Sequence, residues 1–596
     1  MGSRAAVVVL AAALLQAFGQ GSPAPLHSWF VDCSATAAGD GSQAHPWNSL
    51  AAARAHTFFP GDELALARGT VCHGSFSPLG SGAPDRPIRL TAYGRGPRPR
   101  IVAGGSDRQA LLLFNQQYWQ VDSLDISGGN TYGVFVSGDK GTLHHVVLRN
   151  LNVHDVRGGE MKSKDNGLVI VGASAHDVNF DDVVVDGVTA AHTNQWAGIL
   201  VGGGNFGMDM PLNQHVTVRN SSVHDVEGDG IILFRDSDGL IENSSAWETG
   251  MQTTQTIGTP NAIWTWTCTN CTVRDNEAFL TDSPGVDGGA YDIDWNNTGN
   301  VVERNYGHDT QGYCIAVFAA GYVTRDSIVR GNLCIDNALS PRLAALQGAV
   351  YLHTWNGGVI RNLSVENNTI VWNPPVASAA AIVDDADSGD TQIAFTGNHV
   401  ESSGSHFYRA NAQFAPSANR YSQTGAGDAH FLLGGKIGST LAAVQAAGLE
   451  KGSTLVNPPA SPPSEISLRL DATVAFALDA DGLLAPDAFA QLTVLRSLAD
   501  QYQSGALAVT VHLCDPRNPS SAESTGLSNA LLDLDAGQIH FAHDGKTPGV
   551  IRLSTTDGRL LEEWHGFQNA ATLGGAVRMR MGAPHFAAMQ ASEERE

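Results

Sequence analysis

Basic residues are scarce in this chain. Lys and Arg number 35 against 59 Asp and Glu, giving a net charge of -24 and a pI near 5.2. Binding nucleic acid needs a basic footprint, so that partner is excluded. The balance weighs only lightly against an anionic polymer, because a local Arg/Lys groove can form on an acidic protein. Long apolar runs are also missing. The first one, Ala5 to Leu15 behind Arg4, is too short to span a bilayer and is followed by the small residues of Ala17-Phe18-Gly19. It reads as an export signal over residues 1–19, with a secreted or periplasmic product and no membrane insertion. No cysteine stands near the predicted cut, so a lipid anchor is not expected. Only seven cysteines occur. In an exported chain Cys33 can pair with Cys72, and Cys314 with Cys334. Cys268-Thr269-Asn270-Cys271 lacks the second ligand pair of a zinc site and a thioredoxin-like context, so a short disulfide or two inert thiols is expected there.

A length of 596 residues exceeds what one compact core serves, so two or more units are expected. A recurrent phrase runs down the middle: an apolar residue, one or two others, then Asn. It ends at Asn150, Asn220, Asn243, Asn276, Asn305, Asn332, Asn367 and Asn398, in steps of 23, 33, 29, 27, 35 and 31 residues from Asn220 onward. A second phrase travels with it, in His154-Asp155, His192, His224-Asp225, Trp247-Glu248 and His308-Asp309. Two phrases in fixed order at such a period mean stacked repeats. The Asn series then reads as a ladder of side-chain amides passed from coil to coil. The His-Asp series reads as a second ladder of turns.

The order Asp40-Gly41-Ser42, Pro46-Trp47, Ser49-Leu50-Ala51-Ala52-Ala53, then Gly61-Asp62-Glu63-Leu64, Gly69-Thr70 and Pro87 to Gly94 carries a resemblance. It resembles the capping start of right-handed parallel β-helix proteins of the pectate-lyase and polygalacturonase superfamily. The resemblance implies a mainly β fold with an N-terminal capping helix, the cap and first coils over 20–105 and the β-helix over 106–454. The Pro-rich stretch 455–465 reads as a linker. Beyond it, 466–596 resembles a small α/β domain of thioredoxin-like order without the CxxC, with helices from Asp487 to Ser504, near Leu527–Leu534 and from about Asn569. An appended carbohydrate-binding sandwich is the competing reading.

A β-helix exposes one long groove, and polymers lie along such grooves. The richest coil is Asp287 to Asn297. Alternation sets Tyr291, Ile293 and Trp295 on one face, and Asp292 and Asp294 on the other. Burying two unpaired carboxylates inside the coil is too costly, so the pair should face outward. Like charges so close raise one pKa and leave one acid and one base, as glycosidic cleavage requires. A solvated strand face or a calcium site is the alternative. Asp309 or Asp287 could assist. Trp264 and Trp266 would form an exposed sugar platform, or core residues if the register slips by one. Tyr351, His353, Arg235 and His308 are further candidates for contacting substrate, and Asp229, Asp165 and His192 are weaker ones. Neither the Gly-His-Gly and Arg-Ile-Lys runs of polygalacturonases nor the paired Arg motif of pectate lyases is present.

A monomeric glycoside hydrolase acting on a polysaccharide or oligosaccharide, without cofactor, is the leading expectation. The first alternative is a lyase working by β-elimination on a uronate polymer, with Ca²⁺ at the acidic pair and Lys162, Lys164, Arg235, Tyr351 or His353 serving it. The second is a surface glycan binder without catalysis.

Overall fold

Short aliphatic strands separated by Gly, Asn and Asp cannot extend into long ribbons; the chain must turn every few residues. The computed structural model describes residues 24–158, 163–204, 206–250, 259–386, 391–434 and 440–456, and beyond them six strands between 512 and 580. The chain winds into coils, most of which give one strand to each of three parallel sheets of 16, 14 and 12 strands. The first sheet runs from Ser28–Val31 to Phe414–Ser417, the second from Val71–His73 to Thr454–Val456, and the third from Gln109–Phe114 to His430–Leu433. This is a right-handed parallel β-helix. Its inward rows, such as Ile199, Ile231, Ile263, Tyr291, Ile315 and Val350, form one continuous core.

Turn residues bend each coil. Asn220, Asn243 and Asn367 sit at φ 50, 47 and 54, in the left-handed region that Asn tolerates. The residue after each is the true ladder rung, which corrects the register of the Asn phrase. The side-chain amides of Asn276, Asn305, Asn332 and Asn368 donate along the stack to Asn305, Asn332, Asn368 and Asn398 at 3.0, 3.0, 2.9 and 3.0 Å, and Asn398 donates to Asn419 at 3.3 Å. Ser244 and Ser221 continue the row below them, Ser244 N donating to Asn276 and Ser221 N to Ser244 Oγ. Such buried chains satisfy backbone groups that a turn leaves without partners.

The helix Leu50–Arg54 caps the first coils, with Ser49 Oγ accepting from Ala52 N. Leu441–Ala446, capped by Thr440, stands at the other end. Cys33 bonds Cys72 and Cys314 bonds Cys334, both as expected. Cys268 and Cys271 are buried free thiols.

The segment 1–19, most of the linker and the helix expected over Asp487–Ser504 lie outside the described residues. The thioredoxin-like order finds no support in the strands that are described. Asn529–Asp533 is a strand paired antiparallel with Gln538–Ala542, which also pairs with Ala576–Arg580. The helix expected near 527–534 is therefore a strand over its described part, Asn529–Asp533, and the described part of the segment from 569, Ala576–Arg580, is a strand too; residues 569–575 lie outside the described residues.

Candidate active site

The outer face of the third sheet carries the aspartates expected from the sequence. Alternation turns Ile263, Tyr291 and Ile293 into the core and leaves Trp264 and Asp292 outside. One outward row runs Ile170, Leu200, Ile232, Trp264, Asp292, Ala316, Tyr351, Val383. Asp292 faces outward, but it does not meet solvent: it is 2% exposed. Its cover comes from other coils. Asn261 donates from Nδ2 to Asp292 Oδ2 at 3.4 Å, while its Oδ1 accepts from Tyr313 OH and Gly289 N, each at 2.9 Å. Gly289 makes this possible, since a Cβ there would stand 2.0 Å from the Tyr313 ring. Asp292 Oδ1 has no hydrogen-bond partner among the described residues.

Asp294 and Asp287 are half-buried at the edge of the same cluster, while Asp229 is buried. Asp229 is held by Asn261 N on Oδ1 at 2.8 Å and by Trp196 Nε1 on Oδ2. Lys164 reaches over the group, its Nζ 4.9 Å from the Trp264 ring centre and 6.0 Å from that of Trp196. Four carboxyls against one ammonium cannot all ionise cheaply. Burial, then the charges of Asp294 and Asp287, push Asp292 well above the usual carboxylate range. Burial raises Asp294 to about 7 and Asp287 to about 6, with Lys164 opposing both. Burial and then the charges of Asp287, Asp292 and Asp294 likewise raise Tyr313. The two carboxyls at the edge thus exchange protons near neutrality, and the buried one keeps its proton.

Tyr351 lies two rungs from Asp292 and feels the charge of Asp287. Its OH sits 3.3 Å from Asp385 Oδ2, and His353 Nδ1 lies 2.6 Å from Asp385 Oδ1. Tyr351, His353 and Trp355 stack along one strand at 5.3 and 5.4 Å.

Several expected members stand elsewhere. Trp264 and Trp266 keep the outward register but are no exposed platform. They pack with Trp196, Ile232 and Phe234 into a second apolar cluster laid on the outer face of the sheet. Arg235 does not reach the groove. Its φ of 56 ends the strand and turns the guanidinium back, so that Nη2 donates to the carbonyls of Gly202, Gly203 and Gly204. His308 and Asp309 belong to the second sheet, not the third. His308 is buried there between Asp309 Oδ2 at 2.9 Å and Glu277 Oε1 at 3.1 Å. Trp295 also departs from alternation. The strand stops at Ile293, so Trp295 packs outside on Trp266 and stacks with Tyr322 at 5.3 Å. Asp165 holds Gly204 N at 3.0 Å and serves the loop. Sequence reasoning missed Asn261 and Tyr313. Their one signal is Gly288-Gly289 beside Asp287, a sign of close approach.

The family described as "Right handed beta helix region" matches residues 109–288 and 207–414. Among solved structures, a GH136 lacto-N-biosidase from Eubacterium ramulus is 21% identical, with a TM-score of 0.52 over 63% of this chain and 68% of that one. A mannuronic acid specific polysaccharide family 6 lyase from human gut microbiota is 12% identical, with a TM-score of 0.43 over 73% of this chain and 92% of that one. No curated protein matches.

Proposed function

The chain belongs to the right-handed β-helix family, and on that scaffold we propose that it hydrolyses glycosidic bonds of a polysaccharide or oligosaccharide. The observation that carries this reading is the pair Asp287 and Asp294: half-buried carboxyls on one coil, raised by burial to about 6 and about 7. Asp294, the higher, holds the proton and gives it to the leaving oxygen. Asp287 is the carboxylate that activates water or attacks the sugar. Asp292 beneath them is a positioning residue. By staying protonated it keeps a third negative charge out of the site. The reading shifts the expected pair from Asp292 and Asp294 to Asp287 and Asp294, because Asp292 is closed off by Asn261 and Tyr313.

The test is a glycan panel read for both chemistries. A hydrolase releases reducing ends with no unsaturated uronate absorbance, and Asp287→Asn and Asp294→Asn each lose about 10²–10⁴-fold in turnover. Unsaturated products would transfer the chemistry to the Tyr351, His353 and Asp385 group and overturn hydrolysis. Full activity in either Asn variant would overturn the site. Binding of a glycan with no product would leave the protein a lectin-like binder.

A further inference from the structure

The second phrase of the repeat, His192, His224-Asp225 and Trp247-Glu248, plays no part in the glycosidic site. It lies on the second sheet, where Thr189–Thr193, Ser222–Val226 and Ser245–Thr249 stack in three successive coils. His192, Asp225 and Glu248 share the turn position that each coil holds at positive φ, 62, 51 and 51. Stacking therefore brings three chemically different side chains, 33 and 23 residues apart in sequence, to neighbouring rungs. The Asp225 carboxylate is the hub. Its Oδ2 lies 2.8 Å from His224 Nδ1 and 3.4 Å from His192 Nδ1. One ligand atom from each of His192, His224 and Asp225 falls within 4.8 Å of the others. Glu248 occupies the rung beside Asp225 in the next coil, so a second acid stands next to the two imidazoles. The His224 ring is fixed by stacking on Trp247 at 4.5 Å and by the edge of His192 at 5.3 Å.

We propose that His192, His224 and Asp225 bind a divalent transition metal of the zinc type, with Glu248 positioned to complete or orient the set. Two imidazoles and a carboxylate are a borderline donor set that suits Zn²⁺ better than Ca²⁺ or Mg²⁺, which take oxygen alone. Ligand atoms in a tetrahedral zinc site stand about 3.3 Å apart, given metal bonds of about 2.0–2.1 Å. The separations from Asp225 straddle that value, so only small side-chain adjustments are needed. The metal would tie two coils together, and a third where Glu248 joins it, on a different sheet from the aspartate cluster, as a staple whose role is stability. The site is independent of the glycosidic reading.

The full chain, stripped with a chelator and dialysed, is titrated with Zn²⁺ by calorimetry and with Co²⁺ by visible spectroscopy. One tight Zn²⁺ site per chain, a rise in melting temperature and tetrahedral Co²⁺ absorption are expected. His192→Ala and Asp225→Asn should each raise the Kd at least about tenfold and remove the Co²⁺ spectrum. His192 is exposed, so its removal leaves the fold intact. His154→Gln, which alters another His-Asp contact of the same sheet, should leave binding unchanged. No stoichiometric Zn²⁺ binding by the parent, or unaltered binding in His192→Ala, overturns the proposal.

Discussion

Replacing Asp294 by Asn should stabilise the protein at alkaline pH while removing its activity. The carboxyl titrates at 3.8 in the unfolded reference and at about 7 in the folded chain, raised first by burial. Because the folded state binds the proton more tightly, it carries more protons than the unfolded state between those two values. Stability therefore falls as pH rises through that window and levels off above pH 7. Three pH units correspond to about 4 kcal/mol at about 1.36 kcal/mol per unit. Some of that cost is shared with Asp292 and Asp287, which relax when one neighbour can no longer ionise. The expected gain for Asp294→Asn is about 2–3 kcal/mol at pH 8 and well under about 1 kcal/mol at pH 4, close to the unfolded value of 3.8, where the folded carboxyl holds its proton and the unfolded one is only partly ionised. Equilibrium guanidinium unfolding, followed by tryptophan fluorescence at the two pH values, measures the difference. Equal effects at both pH values, or a loss at pH 8, would refute the electrostatic account of the site. The same substitution should abolish turnover, a stability gain at the expense of function.

On the substrate identified by the glycan panel, kcat/KM should follow a narrow bell. Its acid limb near 6 reflects protonation of Asp287 and its alkaline limb near 7 the loss of the Asp294 proton; a pH-rate series checks this. Asn305→Ala removes four buried hydrogen bonds, to Asn276 N, Asn276 Nδ2, Asn332 Oδ1 and Val273 O. Chemical denaturation should show a loss of about 3 kcal/mol or more, because the partners stay buried without a replacement. Arg235→Ala strips three glycine carbonyls of their donor and should cost about 2–4 kcal/mol, leaving KM nearly unchanged in steady-state kinetics of the folded fraction. Tyr313→Phe keeps the ring against Gly289 but removes one of the two hydrogen bonds on Asn261 Oδ1; the kinetics should show a lower kcat with little change in stability.

The sequence discloses whatever the fold repeats. Stacking at about 4.8 Å forces equivalent residues into rows, so a period of Asn and apolar residues is enough to announce the coils, while the cap rests on a family resemblance and the disulfide partners on the cysteine positions of an exported chain. It also assigns inside and outside over short strands, which is why Asp292 and Trp264 fall on the outer face as alternation predicts. What escapes is set by contacts between coils and by the ends of strands. Nothing local says that Tyr313 and Asn261 will close over Asp292. Arg235 leaves the alternation because its own backbone turns left-handed, and Trp295 leaves it because the strand has already ended. His308 looked like part of the groove only because a linear reading cannot tell which of three sheets a turn adjoins.

Where a row stays uniform, it is structural: the Asn276 to Asn419 ladder is buried, satisfied and the same from rung to rung. The outward row of the third sheet is uniform too, apolar through Ile170, Leu200, Ile232 and Trp264, until Asp292 interrupts it. Placing a carboxyl on an apolar rung, with one oxygen shielded and without a partner, costs the fold free energy that a leucine would not. The next rungs, Ala316, Tyr351 and Val383, return to a buried apolar cluster with Tyr313 and Phe318, so the break is confined to the Asp292 rung. In a fold made of rows, a break that is expensive to maintain locates function better than any residue that recurs. That rule supports the coil from Asp287 to Asp294 as the site we propose, and the His-Asp phrase invites a separate explanation where its rungs change chemistry, at His192, Asp225 and Glu248.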